Sequence, residues 1–200
     1  MTRRHPSLVC LVVLLGSALL LAGASLGAPA TAHAQDLDEL MKSVTKPTLD
    51  PVISGFGPGD VRKTETQRAQ AAQLALGSLG ATLGRRTDTD LDALQRLIDG
   101  GFVARDDVAM QQALGVVLGD ALARDLPTLR WAVVDDRFGH SRMLRYRDST
   151  SMFFPVTMIS KRMGMGDPVD VRALYEQVVG DVERLEQERA ESRRRTQGRR

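Results

Sequence analysis

Asp120, Asp135 and Asp136, the pair His140–Ser141 and the run Ser160–Lys161–Arg162 are where this sequence offers chemistry. Two carboxylates held across a cleft do the acid–base work of glycosidic hydrolysis, so Asp120 with Asp135 or Asp136 is the hydrolytic combination available. Asp135 and Asp136 are also possible calcium ligands, but successive side chains of a strand point to opposite faces. In "VVDDRFG" they read better as turn formers. His140 beside Ser141 has no G-x-S-x-G elbow around it and reads as an exposed turn histidine. A Ser160–Lys161 dyad needs a lysine buried enough to lose its proton. Next to Arg162, Lys161 stays charged, and the two bases are either solvated and ion-paired or an anion-binding pair. For Asp120 three readings stand: an ion pair with Arg124 at i, i+4, a link to Lys161 or Arg162, or a catalytic carboxylate. A buried carboxylate without any partner would stay protonated.

Other chemistry is excluded by what the chain lacks. Its one cysteine, Cys10, and two of its three histidines, His5 and His33, lie in the first residues. Those residues read as a leader. Arg3 and Arg4 are followed by the apolar run "LVCLVVLLGSALLLAGASLGA" and then by "PATAHAQ", whose Ala32 and Ala34 form an A-x-A site. An uncleaved anchor is the alternative, but the small residues and the A-x-A site predict cleavage after Ala34 and export to the periplasm or beyond. The exported chain then has no cysteine and only His140, so zinc sites of His and Cys cannot form, nor can disulfides staple the fold. "GSLGATLG" lies in a helical stretch without G-K-[ST], so no nucleotide loop is present and no cofactor is expected. Removing Arg3 and Arg4 from the 27 Lys and Arg residues leaves them level with the 25 Asp and Glu residues. Basic character is therefore local, in the Arg-rich tail 187–200. That end reads as a solvated helix terminus or as a dock for anionic membrane. No nucleic acid partner is expected outside the cytoplasm.

The elements that must position these residues follow from periodicity. Residues 35–61, rich in proline and glycine, read as a linker or a strapped-down arm. A helical segment spans 62–87, with Leu76, Leu79 and Leu83 at helical spacing and Gly84 closing it. A second helix has Asp88 or Thr89 as cap, Leu91, Leu94, Leu97 and Ile98 on one face, and Gly100–Gly101 as its stop. Asp106 caps a third, "DVAMQQALGVVLGDALARDL", and Pro127 shuts it off. The period then turns to alternation: "LRWAVVDD", "MLRYR" and "TSMFF" read as three strands. A short helix starts at Pro155 and breaks at "GMG". The last is capped by Asp167, starts at Pro168, and carries Val171, Leu174, Tyr175, Val178, Val182 and Leu185 as one stripe.

The third helix is unusual, because Gly115 and Gly119 share its face with Val108, Leu122 and Leu126. Glycine inside a helix costs about 0.5–1 kcal/mol relative to alanine, so close backbone approach must offset it. The strand carrying Trp131 and Val133 is the expected partner.

"DLDALQRLIDGG", "LGVVLGDAL", "LRWAVVDDRFG" and "FPVTMISKRM…VDVRALYE" together resemble a bacterial domain, domain of unknown function 3806, over about residues 88–185. The resemblance implies a small domain often found in exported proteins, with no assigned reaction. Its matching residues here are Leu114, Gly115, Gly119, Asp120, Trp131, Asp135, Asp136, Phe154, Pro155, Ile159, Ser160, Lys161 and Arg162. The expected architecture is α+β over 88–186: N-terminal helices, a three-stranded antiparallel meander, and C-terminal helices packed on one sheet face. The function expected is non-enzymatic binding of a protein or cell-envelope polymer.

Overall fold

The computed structural model describes residues 50–198, within a unit running from Pro47 to Arg200. The leader, its cleavage point at Ala34, residues 35–49 of the arm, Arg199 and Arg200 lie outside the described residues. In chain order the elements are β1 (Val52–Ser54), α1 (Pro58–Leu79), α2 (Thr87–Asp99), α3 (Val108–Asp125), β2 (Leu129–Asp136), β3 (Gly139–Tyr146), β4 (Met152–Phe153), α4 (Pro155–Met165) and α5 (Val171–Gln197). The class is α+β, as the sequence predicts. All strand pairs are antiparallel, in the order β1-β2-β3-β4. The expected meander is β2–β4, and β1 adds a fourth strand beside β2, with Ile53 opposite Val134. Three residues between Pro51 and Gly55 are too few to show alternation, so this strand hides in the segment read as an arm.

Boundaries shift where several capping residues compete. Proline at the first helical position has its φ preset, and α1 starts at Pro58; Gly80, left-handed at φ 64°, ends it ahead of Gly84. The α2 helix has Arg86 rather than Asp88 or Thr89 at its cap position. Asp107, not Asp106, caps α3, accepting from the Met110 amide at 2.9 Å. Asp170, not Asp167, caps α5, accepting from the Ala173 amide at 2.8 Å, so Pro168 lies before the helix. Gly164 does not interrupt α4, which runs to Met165 and closes on left-handed Gly166. The tail is helical to Gln197, its last two turns exposed.

Packing radiates from α3, which touches α1, α2, α4, α5 and β2. Leu114, Leu118 and Leu122 are fully buried, among Leu91, Leu94 and Leu97 of α2 and Leu174 and Val178 of α5. Leu129, Leu144 and Tyr146 join this core from one face of the sheet, and the opposite face carries a smaller cluster of Ala132, Val134 and Met143. The α1 helix departs from its apolar spacing. Thr64, Gln67, Ala71 and Ala75 face inward, while Leu76 is 62% exposed. Small and polar residues let α1 lie close against α3, with Leu74 and Leu79 packed only at the margin of the core.

The glycine seam of α3 has a different main partner from the one expected. A Cβ on Gly115 would lie 2.5 Å from the Pro155 carbonyl oxygen and 2.6 Å from that of Val156. One on Gly119 would meet the Trp131 ring at 2.4 Å and Pro155 Cγ at 2.8 Å. The first turn of α4, rather than the strand around Val133, occupies most of the seam, and Trp131 fills the rest.

Gly115→Ala therefore destabilises by about 2 kcal/mol or more in urea unfolding, because rigid backbone must move. Gly180→Ala, in exposed α5 with nothing within 4 Å, stabilises by about 0.5–1 kcal/mol.

Candidate functional site

The register of β2 and β3 decides which side chains face α1. Trp131, Val133 and Asp135 pair with Leu144, Arg142 and His140, and alternation puts all six on one face. The α1 helix crosses that face with a row of polar residues: Asp60 reaches His140, Gln67 reaches Arg142, and Arg68 reaches Asp120 beside Trp131.

Asp120 is the most heavily committed carboxylate of this face. Arg68 grips it with both arms of its guanidinium, Nε to Oδ2 at 2.6 Å and Nη2 to Oδ1 at 2.8 Å. Trp131 Nε1 donates to Oδ1 at 2.9 Å. Such a fork on a partly buried carboxylate is strong and geometrically exact in its demands. The Asp120 bond also holds the Arg68 guanidinium above its usual range. The Arg124 pairing is thus overturned, as is the link to Lys161 or Arg162. Arg124 turns to α2, donating to Thr87 Oγ1 and to the buried Asp90 carboxylate at 3.1 Å.

His140 is not a free turn residue. Its Nδ1 lies 2.7 Å from Asp135 Oδ1 and its Nε2 2.8 Å from Asp60 Oδ1. Carboxylates only accept, so this geometry favours the doubly protonated imidazolium over the neutral ring. The Asp60 bond, then the Asp135 bond, raises the His140 pKa from its ordinary value. Burial pushes the Asp60 carboxyl up, but the bonds from His140 and the Gly57 amide outweigh it and leave its pKa lowered. Both ring nitrogens are directed at carboxylates, so neither is aimed at the Ser141 hydroxyl.

The remaining chemistry lies in an open cleft of about 540 Å³. The α1 helix contributes Lys63, α3 Gln112, the β2–β3 hairpin Asp136, Phe138, His140, Ser141 and Arg142, and the start of α4 Phe154, Val156, Thr157 and Lys161. Asp136 and Lys161 thus share a cavity, which the sequence does not foretell, but Asp120 does not line it. Asp136 also turns the hairpin, its Oδ1 accepting from the Phe138 amide at 2.8 Å. Asp135, one residue earlier, points across to His140. Arg162 leaves the cleft and donates back to the Met158 carbonyl, while Ser160 bonds the Thr157 carbonyl, so no Ser–Lys dyad forms. Among the described residues no group of three or more His, Cys, Asp or Glu is placed to hold a metal, and no helix is long and apolar enough to cross a membrane.

Arg68, Asp60 and Arg142 escape sequence reasoning because their partners are distant, and Lys63 because only the placement of α1 beside the hairpin brings it to the cleft. Arg68 and Asp120 are 52 residues apart, and Asp60 and His140 are 80 apart.

Helices gathered on one face of an antiparallel sheet, around a helix grooved by glycine, define an α+β domain in which Gly115, Gly119, Trp131 and Pro155 meet at that groove. Residues 90–175 match the family model described as Domain of unknown function (DUF3806). A crystal structure from Bacteroides thetaiotaomicron VPI-5482 is similar in fold, with a TM-score of 0.62 at 13% identity, over 68% of this chain and 49% of its own. This chain thus spans about half the length of that protein. No curated protein matches the chain.

Asp120→Ala and Arg68→Ala should each destabilise by about 1–3 kcal/mol. In a double-mutant cycle their effects should couple by more than about 0.5 kcal/mol; additive losses would mean the fork contributes nothing. The His140 bonds give a pH signature. His140, raised from 6.5, contributes stability that is complete below 6.5 and lost as pH rises through its folded value. Asp60, lowered from 3.8, contributes above 3.8 and is lost as pH falls through its folded value. The stability gap between wild type and His140→Gln should therefore be widest between these two values and close in alkaline buffer, as read from unfolding curves across pH.

Proposed function

We propose that this protein is an exported, non-catalytic binding domain that engages a protein or envelope polymer through the cleft between α1, α3, α4 and the β2–β3 hairpin. The observation that carries this reading is an imbalance of charge partners. The acids and the histidine offered for catalysis are occupied from within: Asp120 by Arg68 and Trp131, Asp135 and Asp60 by His140, and one oxygen of Asp136 by backbone. Lys63 and Lys161, by contrast, face the cleft without an acidic partner among the described residues, and Arg142 bonds only the neutral Gln67. A site built to turn over substrate needs a free base or nucleophile; a site built to hold one needs donors and shape. Export is supported by the basic, apolar and small-residue order of the first 34 residues. The hydrolytic alternative, Asp120 with Asp135 or Asp136, gains nothing from the geometry, since Asp120 lies outside the cleft and Asp135 points at His140.

Sedimentation with isolated cell envelopes tests the reading. The processed chain should cosediment, and Lys63→Ala/Lys161→Ala should reduce the bound fraction by about tenfold, the effect of losing one to two charged contacts. Equal sedimentation of wild type and variant would remove the cleft from the function.

A further inference from the structure

The same cleft is chemically specific. We infer that it is an oxyanion site, in which Lys63, Arg142 and Lys161 converge on a phosphate or carboxylate group borne by a larger organic ligand. This rests on the binding reading above and names the ligand class.

Three cations come from three separate elements, α1, β3 and α4, and line one cavity. Like charges brought near one another by folding repel, and an anion between them relieves that repulsion. Arg142 makes the strongest case. Its guanidinium is half-buried, it has five donors, and Nη1 to Gln67 Oε1 at 2.7 Å is its one side-chain hydrogen bond among the described residues. Burial pulls its pKa down, with the Asp60 charge opposing. A half-buried cation held by a neutral amide has both charge and donors to spare for a ligand, whereas the charge of Arg68 is already matched by Asp120.

Lys63 and Lys161 are exposed side chains with no hydrogen bond or ion pair among the described residues, free to swing onto the same anion. Asp136 is the opposing charge in the lining. One of its oxygens is spent on the Phe138 amide, and it sits at the hairpin end, where it would repel a second acidic group. The site therefore favours one oxyanion over a polyanionic stretch.

Volume fixes the rest of the ligand. About 540 Å³ lies within the range of organic-ligand pockets, roughly 300–1,000 Å³, and far exceeds a bare ion. Phe154 and Val156 give apolar wall, Thr157 and Gln112 give polar atoms, and the Phe138 ring stands 80% exposed at the rim. An aromatic rim, an apolar wall and a few hydrogen-bonding groups suit the organic body to which the anion is attached.

The test is amide NMR of the processed chain titrated with inorganic phosphate, with glycerol 3-phosphate and with galacturonate, at constant ionic strength in chloride. Saturable shifts confined to residues of α3, α4 and the hairpin around the cleft are expected, with the organic anions binding at least about tenfold tighter than phosphate because they also fill the apolar wall. Lys63→Ala/Lys161→Ala and, separately, Arg142→Gln should each weaken binding about tenfold, while Arg193→Ala/Arg194→Ala on the tail leaves it unchanged. Shifts centred on the tail, shifts that chloride reproduces, or unaltered affinity in both cleft variants would overturn the oxyanion site. If phosphate and both organic anions fail while the cleft variant still loses envelope sedimentation, the oxyanion assignment falls and the binding reading stands. If the anions bind but sedimentation ignores the cleft, the converse holds.

Discussion

Gly115 and Gly119 take two side chains out of the middle of α3, and the first turn of α4 and the ring of Trp131 occupy the space. Each glycine costs helix stability by about 1 kcal/mol relative to alanine, yet the gap lets backbone and indole press directly on the helix, where dispersion contacts accumulate. Much of the domain's geometry depends on that approach. The α4 helix begins two residues after β4, so seating Pro155 and Val156 in the groove also fixes where the sheet ends relative to α3. Trp131 on Gly119 places its Nε1 beside Asp120, one residue further along the helix. Asp120 in turn receives Arg68 and brings α1 across the sheet. Backbone packing and a charged hydrogen-bond fork are thus consecutive links of one arrangement.

Charge is distributed unequally by this arrangement, although acids and bases are equal in number after residue 34. Carboxylates are drawn into structural duty: Asp120 to join α1, α3 and β2, Asp90 to join α2 and α3, and Asp60 and Asp135 to hold the hairpin through His140. Partly buried acids must find such donors or lose their charge, which is why the acids near the core are spent internally. Lysine on a long stem has no such need, and Lys63 and Lys161 remain directed to solvent at the cleft. The imbalance that gives the cleft its positive character is a consequence of how the fold solves its own desolvation.

Legibility along the chain divides by the range of the interactions. The stripe of α5, the four apolar positions of α2, the strand Leu129–Asp136 and the proline start of α4 are all readable, since each is a local pattern with a single register. Caps are misplaced where acids cluster, as with Asp106 and Asp107 or Asp167 and Asp170, because either residue satisfies the local rule and only the surrounding packing chooses. The α1 helix misleads for a different cause: its leucines have helical spacing, but the face that packs is made of Thr64, Gln67, Ala71 and Ala75, where small size and polar matching matter more than hydrophobicity. Of the residues singled out at the site, Asp136 and Lys161 meet in the cleft, Asp120 and Trp131 meet outside it, Asp135 joins His140, and Arg162 turns away.

From the sequence alone came the class of the domain, its central glycine-bearing helix and its family resemblance, all of which depend on residue type and near-neighbour spacing. Tertiary structure alone decided that α4 fills the glycine groove, that Arg68 rather than Arg124 holds Asp120, that His140 lies between two carboxylates, and that three cations from separate elements surround one cavity. Those pairings join residues as many as 80 positions apart, and a contact at that separation leaves no periodic trace in the chain; it exists only once the helices and the sheet have packed.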